Sequence, residues 1–198
     1  MKKIINSKKI LLATAMAAVV GLGSIGAEQA ILPGHQVNAA PASVSDKDVP
    51  TPLKALRSFY KPALKGQFPG AVSGLTVGKS TRQDVIQKLG KPSQPRKTTS
   101  SFDVYGAHMG NPGYAISYNK SNKIQEMRYY GTNVERHTNI GGITMRLVKQ
   151  NWYAPNSVSN FKNGKKTQTK LTYNRGEYKI EFIFNSSTDL DHINLLKR

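Results

Sequence analysis

Residues 74–92 read GLTVGKSTRQDVIQKLGKP, and this stretch predicts one short helix with both of its ends encoded. Ser80 or Thr81 supplies a capping hydroxyl, and Ser80 with Gln83 has the spacing of a capping box. The glycine and the proline at the end stop the helix, because glycine suits the position after a helix and proline prevents its continuation. The buried stripe is predicted to consist of Val85, Ile86 and Leu89.

The same layout recurs 63 residues later, where residues 140–155 read IGGITMRLVKQNWYAP. Aligned without a gap on residues 77–92, they repeat the first glycine, the capping threonine, one stripe valine and the final proline. Trp152 replaces Leu89, so the only tryptophan is predicted to pack in the core. Strand-like segments follow each copy, at 102–105, 114–118 and 123–130, and at 167–173, 178–184 and 190–195. The predicted fold class is α+β, with two tandem helix and antiparallel β-sheet units packed into one body.

The N-terminal residues predict export. Residues 1–9 carry four lysines, and an uncharged run from Ile10 to Ala27 follows, which is typical of a secretory signal peptide. Its length nearly suffices to span a bilayer, but its Ala and Gly content and its small-residue exit sites favour a cleaved leader. Cleavage is predicted after Ala39, with a cut after Ala27 as the alternative. We therefore expect a secreted, extracellular protein that associates with the cell wall.

Four parts are predicted along the chain. Thr51-Pro52 is predicted to begin a helix that ends near Pro62 or Gly66, with Thr51 as its cap. The predicted parts are a signal peptide at 1–39, a flexible lead-in at 40–50, an N-terminal helix with the first α+β unit at 51–131, and a second α+β unit at 132–198.

The composition is strongly basic, with 29 Lys+Arg against 11 Asp+Glu and a net charge of +18. Removal of the first 39 residues takes away four lysines and one glutamate, so +15 stays on the mature chain. The absence of cysteine excludes disulfides, a cysteine nucleophile and thiolate metal sites. Two cationic clusters follow the two predicted helices, and tyrosines at 105, 114, 118, 129 and 130 interleave with them. The candidate anionic-ligand surface consists of Lys88, Lys91, Arg96, Lys97, Lys162, Lys165, Lys166 and Lys170.

Both clusters are predicted to be basic loops that meet an anionic cell-wall polymer or a membrane surface through electrostatic contacts. An extracellular protein is a further partner class, and no nucleic acid is expected for an exported chain. A general solubilising charge without a specific partner is the alternative interpretation.

No motif in the sequence states a catalytic mechanism, and no cofactor is expected. Val77-Gly78-Lys79-Ser80 is not a phosphate loop, because position 73 is serine where that motif needs glycine. The histidines at 108, 137 and 192 lack metal-ligand spacing. The one dense polar cluster is at 189–192, where Asp189 and Asp191 are predicted on one side of a solvated strand, with Leu190 and His192 on the other. A non-enzymatic protein is therefore predicted.

Three stretches of the sequence resemble a known family. The resemblance extends over about residues 52–198. The three stretches are Gly74–Pro92, then ISYNKS at 116–121, and DHI at 191–193. These stretches resemble the YjgB-like family of exported Gram-positive proteins, a domain of unknown function. The first stretch is more loosely similar to the tandem units of the β-lactamase inhibitory proteins, a resemblance that implies binding to protein surfaces. The second copy departs from the pattern, since Tyr153 stands where Gly90 would recur.

The preferred hypothesis is a secreted, non-enzymatic, envelope-associated binding module of unknown specific function. One alternative is a protein-surface binder or inhibitor of an extracellular protein. A second alternative is a wall-active hydrolase, which requires paired carboxylates in a cleft.

Overall fold

The computed structural model describes residues 49–132, 134 and 138–198. The predicted signal peptide, residues 40–48 of the lead-in and His137 lie outside the described residues. The described helices are α1 (Thr51–Ser58), α2 (Tyr60–Ala63), a 3-10 turn (Gly70–Val72), α3 (Arg82–Leu89) and α4 (Met145–Trp152). The strands are β1 (Asp103–Tyr105), β2 (Gly113–Tyr118), β3 (Ile124–Gly131), β4 (Ser157–Asn163), β5 (Lys166–Arg175), β6 (Tyr178–Ser186) and β7 (Asp189–Lys197). All described residues fall within one compact unit.

Helices α3 and α4 begin and end at positions 63 residues apart, and a threonine side chain caps each of them. The backbone N–H of Asp84 donates to the Thr81 hydroxyl over 3.2 Å, and the Thr81 N–H donates back to the Asp84 carboxylate over 2.7 Å. The capping box is therefore Thr81 with Asp84, and the prediction of Ser80 with Gln83 is wrong by one residue. Thr144 caps α4 in the same way, by accepting from the Leu147 N–H over 3.1 Å.

Helix α1 begins without the predicted cap. Pro50 occupies the position before the helix and no side chain caps it, so Thr51 is already a helical residue. The prediction of Thr51 as the capping hydroxyl is wrong, although a proline in the first turn does mark the start. The chain stays helical through α2 as far as Ala63, in agreement with an end near Pro62 or Gly66.

The strands form a single seven-stranded antiparallel sheet in the order β1-β2-β3-β7-β6-β5-β4. The α+β class is confirmed. Six strands coincide with predicted segments, but β4 was not predicted, because every one of its residues is exposed and no buried face alternates along it. Strands β3 and β7 pair at the middle of the sheet although more than 50 residues separate them. The prediction that two whole units repeat stays a prediction. The two elements that match each other in the structure are helices α3 and α4.

The hydrophobic core lies between the helices and one face of the sheet. Leu56 and Phe59 of the first helical segment, Val85 of α3 and Val148 of α4 all enter the same buried cluster. Trp152 packs edge-on against Phe182, with ring centroids 5.1 Å apart, so its predicted place in the core is confirmed. The helices thus cover one face of the sheet, and we call the other one the open face.

Among the described residues, no helix combines the length and the apolar character needed to cross a membrane.

Candidate anion-binding pocket and polar groove

Part of the first predicted basic cluster lines a pocket at the end of α3, which we call the α3 pocket. Lys88 lies in the last turn of the helix and Lys91 follows it, and both side chains are exposed. Ser93, His108 and Asn111 add neutral or basic polar groups from the links on either side of β1. The cavity volume is about 370 Å³, and no aspartate or glutamate is among its lining residues. The pocket therefore presents donors and positive charge without a competing carboxylate.

Tyr105 and Tyr114 form the inner wall of the α3 pocket. Burial raises the pKa of Tyr105 to about 12 and also raises the pKa of Tyr114. Both phenols therefore stay neutral near neutral pH and add no negative charge to the pocket.

The other two residues of the first cluster do not line the α3 pocket. Arg96 is half-buried, because its guanidinium donates to the Asn122 side chain over 2.8 Å and lies 5.3 Å from the Tyr118 ring centroid. Its backbone N–H donates to Asp103, which Arg82 also holds through two hydrogen bonds. Arg96 thus fixes the α3–β1 link, and Lys97 is exposed on that link.

The tyrosines predicted to interleave with the basic residues are mostly structural. The prediction of a tyrosine-rich surface is wrong, because only Tyr130 is exposed, at 42%, and the others lie in the core. The buried ones are Tyr105, Tyr114, Tyr118 and Tyr129.

The second predicted basic loop is instead the β4–β5 hairpin. Lys162 lies in β4, Lys165 in the turn, and Lys166 in β5, and all three are exposed. Lys170 lies further along β5, where its ammonium is 3.6 Å from the Glu181 carboxylate. The prediction of a loop is wrong here, because the missed strand β4 pairs with β5 along its whole length.

The two basic clusters do not form one patch. The first accompanies β1 and the second occupies β4, which are the two outermost strands of the sheet. Six strand spacings of about 4.8 Å place these edges about 29 Å apart. A small anion therefore meets only one cluster, and a ligand that contacts both must extend over about 29 Å.

The open face of the sheet carries a second concave site, the polar groove, which the sequence did not predict. Its cavity volume is about 370 Å³. Strands β3 to β7 all contribute to it, because the pairing places Arg128 opposite Asn194, and Asn194 opposite Glu181. The groove is lined by Glu126, Arg128, Phe161, Lys162, Asn163, Gln168, Lys170, Glu181, Ile183, His192 and Asn194.

The two carboxylates of the groove are both paired with cations. Glu126 accepts from the Arg128 guanidinium over 2.7 Å, and that guanidinium stacks 4.2 Å from the Phe102 ring centroid. Glu181 is buried and lies 3.2 Å from the Lys179 ammonium. The groove gathers carboxylates, as a hydrolase requires, but each one is held by its cation. The hydrolase alternative stays a prediction.

A chain of hydrogen bonds runs along one side of the groove to His192. Asn163 donates to Gln168 over 3.1 Å, Gln168 donates to Asn185 over 2.8 Å, and Asn185 donates to Asp191 over 3.0 Å. Asp191 and the Nδ1 atom of His192 are 2.5 Å apart. Burial lowers the pKa of His192 and outweighs the opposing effect of Asp191, so the imidazole stays neutral near pH 7.

A break in the regular pairing changes the predicted faces of β7. Leu190 is opposite Phe184 and His192 is opposite Ile183, with a register shift between the two pairs. Because neighbouring strand residues point to opposite faces, Leu190 enters the core and His192 faces the groove. The prediction that they share a side is wrong. Among residues 49–198 as described, no group of three or more His, Asp or Glu side chains is placed to hold a metal ion.

These features define an α+β protein whose helices cover one face of a seven-stranded antiparallel sheet and whose other face carries a polar groove. The family model for the domain of unknown function DUF4309 matches residues 56–196, and the chain belongs to this family. The "Uncharacterized protein YjgB" of Bacillus subtilis strain 168 is 33% identical over 153 residues, which cover 77% of this chain and 79% of that protein. The predicted family resemblance is confirmed.

The fold agrees with a crystal structure of YjgB, a DUF4309 family protein from Bacillus subtilis. The TM-score is 0.69 at 34% identity, and the match covers 75% of this chain and 99% of that one. An extracellular protein containing a SCP domain from Bacillus anthracis gives a TM-score of 0.45 at 13% identity, over 65% of this chain and 46% of that one. That likeness is too weak to carry an inference. The looser resemblance to β-lactamase inhibitory proteins stays a prediction.

Proposed function

We propose that the protein is an exported, non-enzymatic binding module of the cell envelope that holds phosphate-bearing polymers in the α3 pocket. The observation that carries the proposal is the lining of this pocket, which combines Lys88, Lys91 and His108 and includes no carboxylate. Its export rests on the leader-like residues 1–39.

The chemistry of the pocket fits a phosphate group. Lysine binds phosphate as a point charge with rotatable donors. Ser93 and Asn111 add neutral donors beside it, and the buried phenols do not ionise near neutral pH. The negative end of the α3 dipole accounts for one lysine in the last helical turn, worth about 0.3–1 kcal/mol. It does not account for the second lysine or for the absence of carboxylates.

The β4–β5 hairpin provides a second contact for a long polymer. Its lysines at 162, 165 and 166 are exposed, and among the described residues none of the three has a carboxylate within 4.0 Å. A polyanion that contacts both edges of the sheet gains from the high effective concentration of its second segment. We therefore expect a polymer to bind more tightly than its isolated phosphate unit.

The test measures binding of the mature chain to poly(glycerol phosphate) and to inorganic phosphate across a salt series. Lys88→Gln with Lys91→Gln is expected to weaken binding of both, and each lost phosphate contact should lower the log–log salt slope by about 0.7–0.9. The control is Lys120→Gln with Lys123→Gln, which removes the same charge from two exposed lysines in the turn between β2 and β3.

If both double variants lose affinity equally, the net charge alone attracts the polymer and the pocket has no specific role. If poly(glycerol phosphate) shows no saturable binding at low salt, the proposed function is wrong. A loss confined to the Lys88 and Lys91 variant supports the α3 pocket as the site.

A further inference from the structure

We propose that the polar groove on the open face of the sheet is a separate binding site for a neutral oligosaccharide. This site is independent of the α3 pocket, because the groove lies on strands β3 to β7 and shares no lining residue with the pocket. Its cavity volume of about 370 Å³ falls within the range of about 300–1,000 Å³ that small-molecule sites occupy.

The charges that line the groove are largely paired with one another. Its lining holds three cations, Arg128, Lys162 and Lys170, against two carboxylates, Glu126 and Glu181. Both carboxylates are already neutralised by neighbouring cations within 3.6 Å. The α3 pocket, by contrast, has two lysines and no carboxylate, so a phosphate is attracted more strongly there than in the groove. A ligand without net charge needs no unpaired cation.

The groove offers donors and acceptors together, which suits a ligand rich in hydroxyl groups. Each hydroxyl both donates and accepts, and the amides of Asn163 and Asn194 do the same. Asn194 is only 7% exposed, and its side-chain oxygen is buried without a hydrogen-bond partner in the described structure. A buried acceptor left unpaired is unfavourable, so a small shift of this side chain that lets a ligand hydroxyl or N–H pair with the oxygen is favoured.

The apolar part of the lining favours a sugar over a peptide. Only Phe161 and Ile183 are apolar, so the groove has no deep pocket for hydrophobic side chains of a peptide. The ring of Phe161 is 37% exposed, and the Lys170 ammonium lies over it at 6.0 Å from the centroid. A sugar that displaces this ammonium brings its weakly positive C–H groups onto the negative face of the ring.

The site is held in shape before any ligand arrives. The hydrogen-bond chain from Asn163 to Asp191 fixes the amide of Gln168, which is almost fully buried. At the far end, the Tyr130 ring lies 5.3 Å from the His192 ring and limits its movement. A rigid polar site loses little side-chain entropy on binding, which helps a neutral ligand that gains no ion pair.

The experiment titrates the mature chain with three neutral tetrasaccharides, chitotetraose, cellotetraose and maltotetraose, by calorimetry and by NMR shift changes. The titrations use about 0.5 M salt, where the Debye length falls to roughly 4 Å and surface electrostatics are screened. At least one saccharide is expected to bind with a Kd of about 1 mM or tighter. Phe161→Ala and Asn194→Ala should each weaken that binding about tenfold, which corresponds to about 1.4 kcal/mol.

Two controls separate the groove from the rest of the molecule. Val158→Ala removes another exposed apolar side chain of β4, but three residues away from Phe161 and therefore on the other face of the strand. The Lys88→Gln and Lys91→Gln variant should keep saccharide binding unchanged. The saccharide test therefore stands even if the α3 pocket does not bind phosphate polymers. Circular dichroism confirms that each variant is folded.

No saturable response from any of the three saccharides up to about 10 mM would overturn the proposal, since that limit corresponds to about −2.7 kcal/mol. Equal losses in the Phe161 and Val158 variants would overturn it too. A neutral peptide that binds in place of the saccharides, and is lost in the Asn194 variant, would assign the groove to a protein partner.

Discussion

The backbone after α4 is strained, and the strain predicts that replacement of Tyr153 by glycine stabilises the protein. Tyr153 has φ +64° and ψ −164°, and its counterpart Gly90 after α3 has φ +81° and ψ −170°. This region of backbone conformation is essentially reserved for glycine, and another residue held there costs about 1–3 kcal/mol. The same junction is therefore relaxed in one copy of the helix and strained in the other.

Little else is lost when the Tyr153 side chain is removed. The ring is 74% exposed, and the hydrogen bond that this residue accepts from Tyr173 goes to its backbone carbonyl over 3.1 Å. Glycine makes the unfolded chain more flexible, which costs about 0.4–1 kcal/mol. The net expectation for Tyr153→Gly is a gain of about 1 kcal/mol, or about 2–4 °C in Tm for a chain of this size.

The reverse change supplies the matched experiment. A Cβ added at Gly90 meets no atom within 4 Å, so Gly90→Ala tests the backbone conformation without a steric clash. We expect it to destabilise the protein by about 1 kcal/mol. Tyr153→Ala keeps a Cβ and hence the strain, so it should give none of the gain seen with glycine.

Urea and thermal unfolding are followed by the fluorescence of Trp152, which is the only tryptophan and is buried. The reasoning is refuted if Tyr153→Gly leaves Tm unchanged or lowers it. It is also refuted if Tyr153→Ala stabilises as much as glycine does, because the ring and not the backbone would then carry the effect.

Three further outcomes are expected. Arg82→Gln should destabilise by about 3 kcal/mol, because it leaves the fully buried Asp103 without its paired cation. Burial opposes ionisation of Asp103, but its bonds from Arg82 and from a backbone N–H lower its pKa, so its stabilisation is present above about pH 4 and is lost as pH falls. The difference in urea midpoint between the wild type and the variant should therefore shrink as pH falls below about 4. Because burial lowers the pKa of His192, stability should fall between pH 7 and pH 5, and His192→Gln should show a smaller fall in urea midpoint over that range. N-terminal sequencing of the exported protein should begin at Ala40, and Ala39→Tyr should abolish that product, whereas the unchanged product would place the cleavage signal elsewhere.

The helices were predictable because the residues that start and stop each of them lie close together in the sequence. A threonine cap, a stripe of apolar residues and a proline lie within about 16 consecutive positions, and the order repeats 63 residues later. The exact capping box was missed because Ser80 and Thr81 are equally good caps by residue type, and only the backbone geometry shows that Asp84 closes the box.

Strand β4 was not predictable by the same means. Its only large apolar residues are Val158 and Phe161, which lie on opposite faces, so the period of two that marks a half-buried strand is absent. The strand exists because its backbone pairs with β5 over seven residues, and that pairing depends on the rest of the sheet. The polar groove was hidden for a related reason, because β3 joins β7 and not the next strand along the chain.

The two basic clusters look alike in the sequence, but only one of them has a structural reason for its lysines that is unrelated to a ligand. An exposed edge strand such as β4 is a template for pairing with other chains, and lysines on an edge are a common protection against this. The lysines of the β4–β5 hairpin therefore have a structural reason to be there, while the three-residue strand β1 at the opposite edge is covered by Gln94, whose backbone pairs with that of Val104. No edge requires Lys88 and Lys91, which flank a pocket instead. The electrostatic argument for a ligand is consequently stronger at the α3 pocket than at the hairpin, even though the hairpin holds more charge.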